Sequence, residues 1–267
     1  MPSQFSALGF DVTSGEDLAA LATHVAERAD TVNAREGQYL KWAPPSGEQL
    51  WLQLTRSGDA MGMTPHFEGR SRLRIGIEAR VTRKTHTPLD ATFLAWANPP
   101  DGSATGGDYP FVFDCPDGAI HEDAPLPMVA EVQLAAFAQQ LTLHDSEEAY
   151  RASQSAEGMN FPARSFIPSG LISPTGEPVV PPESHALISG VILEAAPRRN
   201  AISGAAFWWA LVDAPGGTFD VVIDPDLLDR EPRAGHVLSG WFWLSGRLQT
   251  GQPSRSGWFR KLTGRGQ

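Results

Sequence analysis

The sequence predicts a β-rich α+β fold: an N-terminal mixed α/β region with antiparallel strands, packed against a C-terminal antiparallel sheet or small barrel. Three observations carry this expectation. Residues 186–248 hold four apolar runs, at 186–193, 205–212, 218–223 and 237–248, each bounded by Gly, Pro, Asn or Asp. The 26 Gly and 22 Pro follow no collagen-like period, so they supply turns for many short strands. Helical spacing is confined to a few stretches, the clearest at 15–29. A chain of 267 residues, 41% hydrophobic and 19% charged, can bury a core as one large domain or two ordinary ones. The expected division lies near Val180, giving an N-terminal region 1–180 and a C-terminal region 181–267.

Residues 5–12 read as a first short strand. Ser14 then stands three positions before Asp17, a capping-box arrangement, and Leu18, Leu21, Ala22 and Val25 recur at helical spacing, which predicts a helix over 15–29. Strands are expected at 38–42, 49–54 and 60–64, with turn-forming residues between them. In the second of these, Leu50, Leu52 and Leu54 share one side and Trp51 lies opposite. Residues 71–84 alternate most cleanly, with Leu73, Ile75, Ile77, Ala79 and Val81 on one face and Arg72, Arg74, Glu78 and Arg80 on the other. A partner strand follows at 88–97, and a short aromatic strand at 109–116 starts at a proline.

At 126–143 the recurrent Ala and Gln, with Met128, Val129, Val132, Ala136 and Leu141, predict a second helix. Asp145-Ser146-Glu147-Glu148 caps a short third one. From 154 to 183 six prolines break regular structure, while Met159, Phe161, Phe166 and Ile167 are too apolar for a free linker, so an ordered connection is expected. In the final strand Val237, Ser239, Trp241 and Trp243 share one side, and Leu238, Gly240, Phe242 and Leu244 the other; both sides are apolar, as in a strand packed on two faces.

The order strand, helix, three strands, with Leu8-Gly9-Phe10 near its start and Pro65-His66-Phe67 at its end, resembles a half-module of the glyoxalase and extradiol-dioxygenase superfamily over residues 5–68. That resemblance implies metal ligands on the strands of paired half-modules. Residues 5–10 contain no histidine or carboxylate, so the ligand set does not transfer. In strand number and glycine placement, residues 186–248 resemble an oligonucleotide/oligosaccharide-binding barrel.

The seven histidines form no HExxH motif and no close His/Cys cluster, and the chain has neither a GxSxG elbow nor a phosphate-binding GK[ST] loop. No cofactor is therefore expected. His66 falls at a strand end and Glu78 on a polar strand face; with Trp51, Trp241 and Trp243 they form the candidate ligand surface, expected where the two regions meet. His121-Glu122-Asp123 is a further acid/base or metal set. Asp220 and Asp224 share one side of a strand and are expected to face solvent and end it, while Cys115 reads as a buried, inert thiol.

Net charge is -10, which repels nucleic-acid backbones and anionic membranes, although the tail from 246 onward carries only basic charge, including Arg255, Arg260 and Lys261 beside Trp258 and Phe259. No apolar run reaches the length of a membrane helix, and the N-terminus lacks the pattern of a secretory signal. With a single cysteine, the expected location is cytoplasmic. The function expected is non-catalytic binding of a small ligand or a protein partner, homo-oligomers included. Two alternatives stay open: a metal-assisted lyase, isomerase or oxygenase with a glyoxalase-like site, and a structural or complex-assembly protein.

Overall fold

The computed structural model describes residues 3–154, 160–171 and 177–249. The basic tail beyond Gln249 and Met159 lie outside the described residues. The fold is α+β and β-rich. Its helices are α1 (Gly15–Ala26) and α2 (Glu147–Ser153). A four-stranded antiparallel meander joins β1 (Asp30–Ala34), β2 (Gly37–Trp42), β3 (Glu48–Thr55) and β4 (Ala60–Phe67) in that order. A mixed nine-stranded sheet contains β5 (Leu73–Val81), β6 (Ala91–Ala97), β7 (Pro110–Cys115), β8 (Met128–His144), β9 (Ser165–Ile167), β10 (His185–Arg199), β11 (Ala206–Ala214), β12 (Gly217–Ile223) and β13 (Val237–Gln249). Among the described residues, no helix is long and apolar enough to cross a membrane.

The nine-stranded sheet closes on itself twice. β8 and β13 pair antiparallel from Val237–His144 to Gln249–Glu131, forming one long ribbon. Strands β5, β6 and β7 link the two edges of one end of that ribbon, the last through a single parallel bridge between Asp114 and Ser245. Strands β10, β11 and β12 link the edges of the other end, the last parallel to β8 at Asp220–Ala135 through Val222–Phe137. Residues on both sides of Val180 thus enter the same sheet. The C-terminal strands do form a five-stranded ring, but its fifth strand is β8, from the N-terminal side.

One apolar cluster fills both rings. It includes Ile75, Phe93, Phe113, Leu134, Ala136, Val221, Phe242 and Leu244, all buried. A second cluster lies between the outer face of the ribbon and the meander, where Leu50, Leu52, Phe67, Leu21 and Val25 meet Phe137, Trp209, Val222 and Trp243. The helix expected at 126–143 is therefore β8. Its even residues from Val132 to Ala138 face the rings, while Phe137 and Ala135 face the meander. Burial on both faces gives a near-continuous apolar run, and small Ala side chains let neighbouring layers approach; these demands override the helix preference of Ala and Gln.

Residues 5–12, expected as a strand, instead hold a 3-10 turn at Ser6–Leu8. Its chain end is tied down by side chains of a distant loop: Asn200 donates to the Leu8 carbonyl at 2.7 Å and Ser203 to that of Gly9 at 2.6 Å. Strand β1 takes the remaining place in the sheet. The observed order is helix then four-stranded meander, not the strand, helix, three strands on which the glyoxalase resemblance rests. Helix α1 has its full capping box, with the Ser14 side chain and Asp17 bonding reciprocally.

Asp220, expected at the surface, is fully buried between the two layers. Its Oδ1 accepts from the Arg70 backbone N–H at 3.0 Å and Trp209 Nε1 at 2.8 Å; its Oδ2 accepts from the Ser71 N–H and Gln133 Nε2, both at 2.8 Å. A side chain at Gly69 would collide with this carboxyl group, so glycine there allows the β4–β5 connection to wrap it. Asp220→Ala would strand four N–H donors. The expected loss is about 3 kcal/mol or more, since each unsatisfied buried group costs about 1–3 kcal/mol. Urea unfolding should show a lower midpoint at unchanged slope, and Asp220→Asn, which retains one acceptor oxygen, a smaller drop.

Candidate ligand groove

The five residues expected to share a ligand surface do not meet on one cleft. His66 is fully buried at the end of β4. Gln133 uses its amide nitrogen on Asp220, so its Oε1 accepts the His66 Nε2 proton at 2.8 Å, and Nδ1 then accepts from the Ser245 hydroxyl at 2.9 Å. Trp51 is also buried; its Nε1 donates to Gln49 Oε1 at 3.0 Å, and Lys41 and Arg247 stand over its ring. Glu78 is half-buried and accepts from Trp96 Nε1 at 2.6 Å. Trp243 is buried and donates to Asp114 Oδ2 at 2.7 Å.

Two concavities are relevant. A polar cleft of about 240 Å³ lies beside Trp243, Arg83 and Asp114. Its charged groups already serve the protein. Asp114 accepts from Arg83, Thr92, Ser184 and Trp243, while Arg83 also donates to the Pro182 carbonyl. Asp90 accepts from Gln53 and the Thr87 N–H. Cys115, at the cleft's base, donates to Asp117 at 3.3 Å, and burial pushes its thiol pKa up, so the expected inert thiol fits this setting.

The second concavity, about 350 Å³, lies on the outer face of the ribbon's other end, and Trp241 belongs to it. Its floor is two cross-strand rows. In one, Gln140, Trp241, Leu187 and Ile167 stand side by side on β8, β13, β10 and β9; in the next, Thr142, Ser239, Ser189 and Ser165 do the same. The outward rows of β13 continue as Trp243 and Ser245, which the meander covers. Beyond the hydroxyl row, Tyr150 of α2 packs on Val237 and Val191. Among the described residues, the groove is thus the stretch of one sheet face left open between the meander and α2.

A β-bulge sets this face. Trp241 pairs with Gln140 but Phe242 with Ala138, so Gln139 is an extra residue in β8. Before it, even residues point into the rings; after it, Leu143 is buried while Gln140 and Thr142 are exposed. Opposite the bulge, Gly240 leaves room that a side chain would fill by running into the Gln140 carbonyl. Reading 126–143 as a helix hid this row. The alternation of Gln140, Thr142 and His144 with Leu141 and Leu143 was the signal that could have revealed it.

Several polar groups of the groove have no protein partner. Among the described residues, the side chains of Gln140, Thr142 and Ser165 make no hydrogen bond, whereas Ser189 bonds to the Tyr150 hydroxyl at 3.0 Å. His185 stacks on the Trp241 indole, with centroids 5.6 Å apart, and props it in place. None of the described residues lining the groove is charged.

Of the other candidates, Glu122 and Asp123 pair with Arg35, and Asp224 caps a 3-10 turn through the Asp226 N–H. Among the described residues, no three His, Cys, Asp or Glu side chains gather as a metal site. Compared with known proteins, the chain matches no family model and no curated protein.

Burial lowers the His66 pKa to about 3, with Arg247 adding to the effect. An unfolded chain takes up this proton near 6.5, so the unfolded state binds it first on acidification. Stability should fall as pH drops from about 6.5 towards 3, with this group contributing up to about 1.4 kcal/mol per pH unit. Urea titrations of the wild type and His66→Gln between these limits check this: the variant should start less stable but show a flatter pH slope.

Proposed function

We propose that this protein is a non-catalytic module that binds a small uncharged molecule in the groove around Trp241. The observation carrying this reading is the set of side-chain groups of Gln140, Thr142 and Ser165, without a protein partner among the described residues, beside an aromatic ring on a sheet face that no described residue covers. Small-molecule sites combine apolar walls with a few polar groups that fix orientation, and this groove lies near the lower end of their usual size. Rigid strands supply the floor, so the site is formed before a ligand arrives. A metal-assisted reaction would need a set of ligating side chains; among the described residues the groove offers none. We place the protein in the cytoplasm on the strength of its single cysteine.

The test is a ligand-observed NMR screen of small neutral compounds against the full chain, repeated on Trp241→Ala. Binders should compete for one site, and the substitution should weaken them by ~2 kcal/mol, about thirtyfold in Kd. Binding that survives in Trp241→Ala but is lost when His86, in the polar cleft, is changed to Ala would place the site elsewhere and overturn the proposal. Concentration-dependent self-association abolished by Leu187→Asp, with no small-molecule binding, would show instead that this face is a protein contact.

A further inference from the structure

We infer that the ligand of this groove is a neutral carbohydrate of one or two rings, an inference that rests on the groove being a small-molecule site. Three features select this class. The first is charge. With no charged side chain among the described lining residues, the groove offers no countercharge to a phosphate, carboxylate or ammonium group. A charged ligand would lose water there for neutral hydrogen bonds alone, with its charge left uncompensated.

The second is the hydroxyl row. Thr142, Ser239, Ser189 and Ser165 stand on adjacent strands, roughly 5 Å apart across the sheet. A Ser or Thr hydroxyl both donates and accepts, and the Gln140 amide offers both kinds of group. Such a surface matches a ligand whose own groups do both, which is the property of a ring bearing several hydroxyls. A purely apolar ring would strip water from Gln140, Thr142 and Ser165 and leave them unpaired.

The third is Trp241. Its indole stands in the row beside the hydroxyls, flanked by Leu187 and backed by His185. A sugar ring presents hydroxyls at its rim and a face of C–H groups. Laid across the floor, it would set the C–H face against the indole and Leu187 and direct rim hydroxyls to the Thr142–Ser165 row. The volume of about 350 Å³ suits one or two sugar rings seated on the floor.

Saturation-transfer NMR on the full chain tests this with named probes: glucose, galactose, mannose, xylose, maltose and cellobiose, with indole and cyclohexanol as apolar rings and glucose 6-phosphate as a charged sugar. At least one neutral sugar should bind, with saturation strongest on its ring C–H protons. Thr142→Val, which keeps side-chain shape and removes one hydroxyl, should weaken it about tenfold. Trp241→Ala should abolish the signal, and Trp241→Phe, which retains a ring should the alanine variant fail to fold, should keep part of it. Glucose 6-phosphate should bind more weakly than glucose. If indole or cyclohexanol binds in a Trp241-dependent way and no sugar does, the carbohydrate inference falls and the groove reading stands. If no probe shows Trp241-dependent binding, both fall. Sugar binding indifferent to both Trp241 and Thr142 also overturns the inference.

Discussion

The pairing of β8 with β13 is the constraint on which the other parts depend. Neither ring closes without this ribbon, because each borrows both strands as part of its wall. Each edge of the ribbon is shared: β8 gives its free edge first to β5 and then to β12, and β13 gives its own first to β10 and then to β7. The inner face of the ribbon seals a single apolar cluster, and its outer face carries the meander, the groove and α2 in succession. Such long-range pairing has to form before the core it encloses can exclude water.

The contact between meander and ribbon is not purely apolar. Asp220, Gln133, His66 and Ser245 form a continuous buried chain of hydrogen bonds from β12 across β8 and β4 to β13. Burying a carboxyl group and an imidazole opposes folding unless partners replace water, and here each finds them. An apolar seam would tolerate sliding of one layer on the other. Hydrogen bonds with fixed donors and acceptors accept one register, so this network defines where the meander sits and therefore where the open face begins.

Much of the architecture was legible in the sequence because alternation and turn residues report burial directly. Strands β5, β11, β12 and β13 and the capped helix α1 follow from pattern alone. Strand β8 was not legible, because burial on two faces removes alternation and its Ala and Gln favour helix in isolation. Asp220 misled for a related reason: an aspartate on a strand usually faces water, and only the folded chain brings four N–H groups around it. For the groove, Trp241 could be named from sequence, but Gln140, Thr142 and Ser165 gain meaning only from the registers that set them beside it. His66, Trp51 and Trp243 have the right chemistry for a site but are occupied in holding the layers together.

The extra residue at Gln139 has a consequence for how this chain can vary. It divides β8 into two segments with opposite phase, so the strand carries two independent inside-outside codes. Changes in length and changes in identity are therefore unequal there. Gln139 itself is only half-buried, and many side chains fit such a position. Removing a residue within either segment would shift the part beyond it by one and turn its buried side chains towards water, whereas loss of Gln139 itself would only restore regular pairing, with Ala138 opposite Phe242 and Gln140 opposite Trp241 as before. Relatives of this protein should accordingly vary in the residue at this point, or lack it, while keeping the count of residues within each of the two segments.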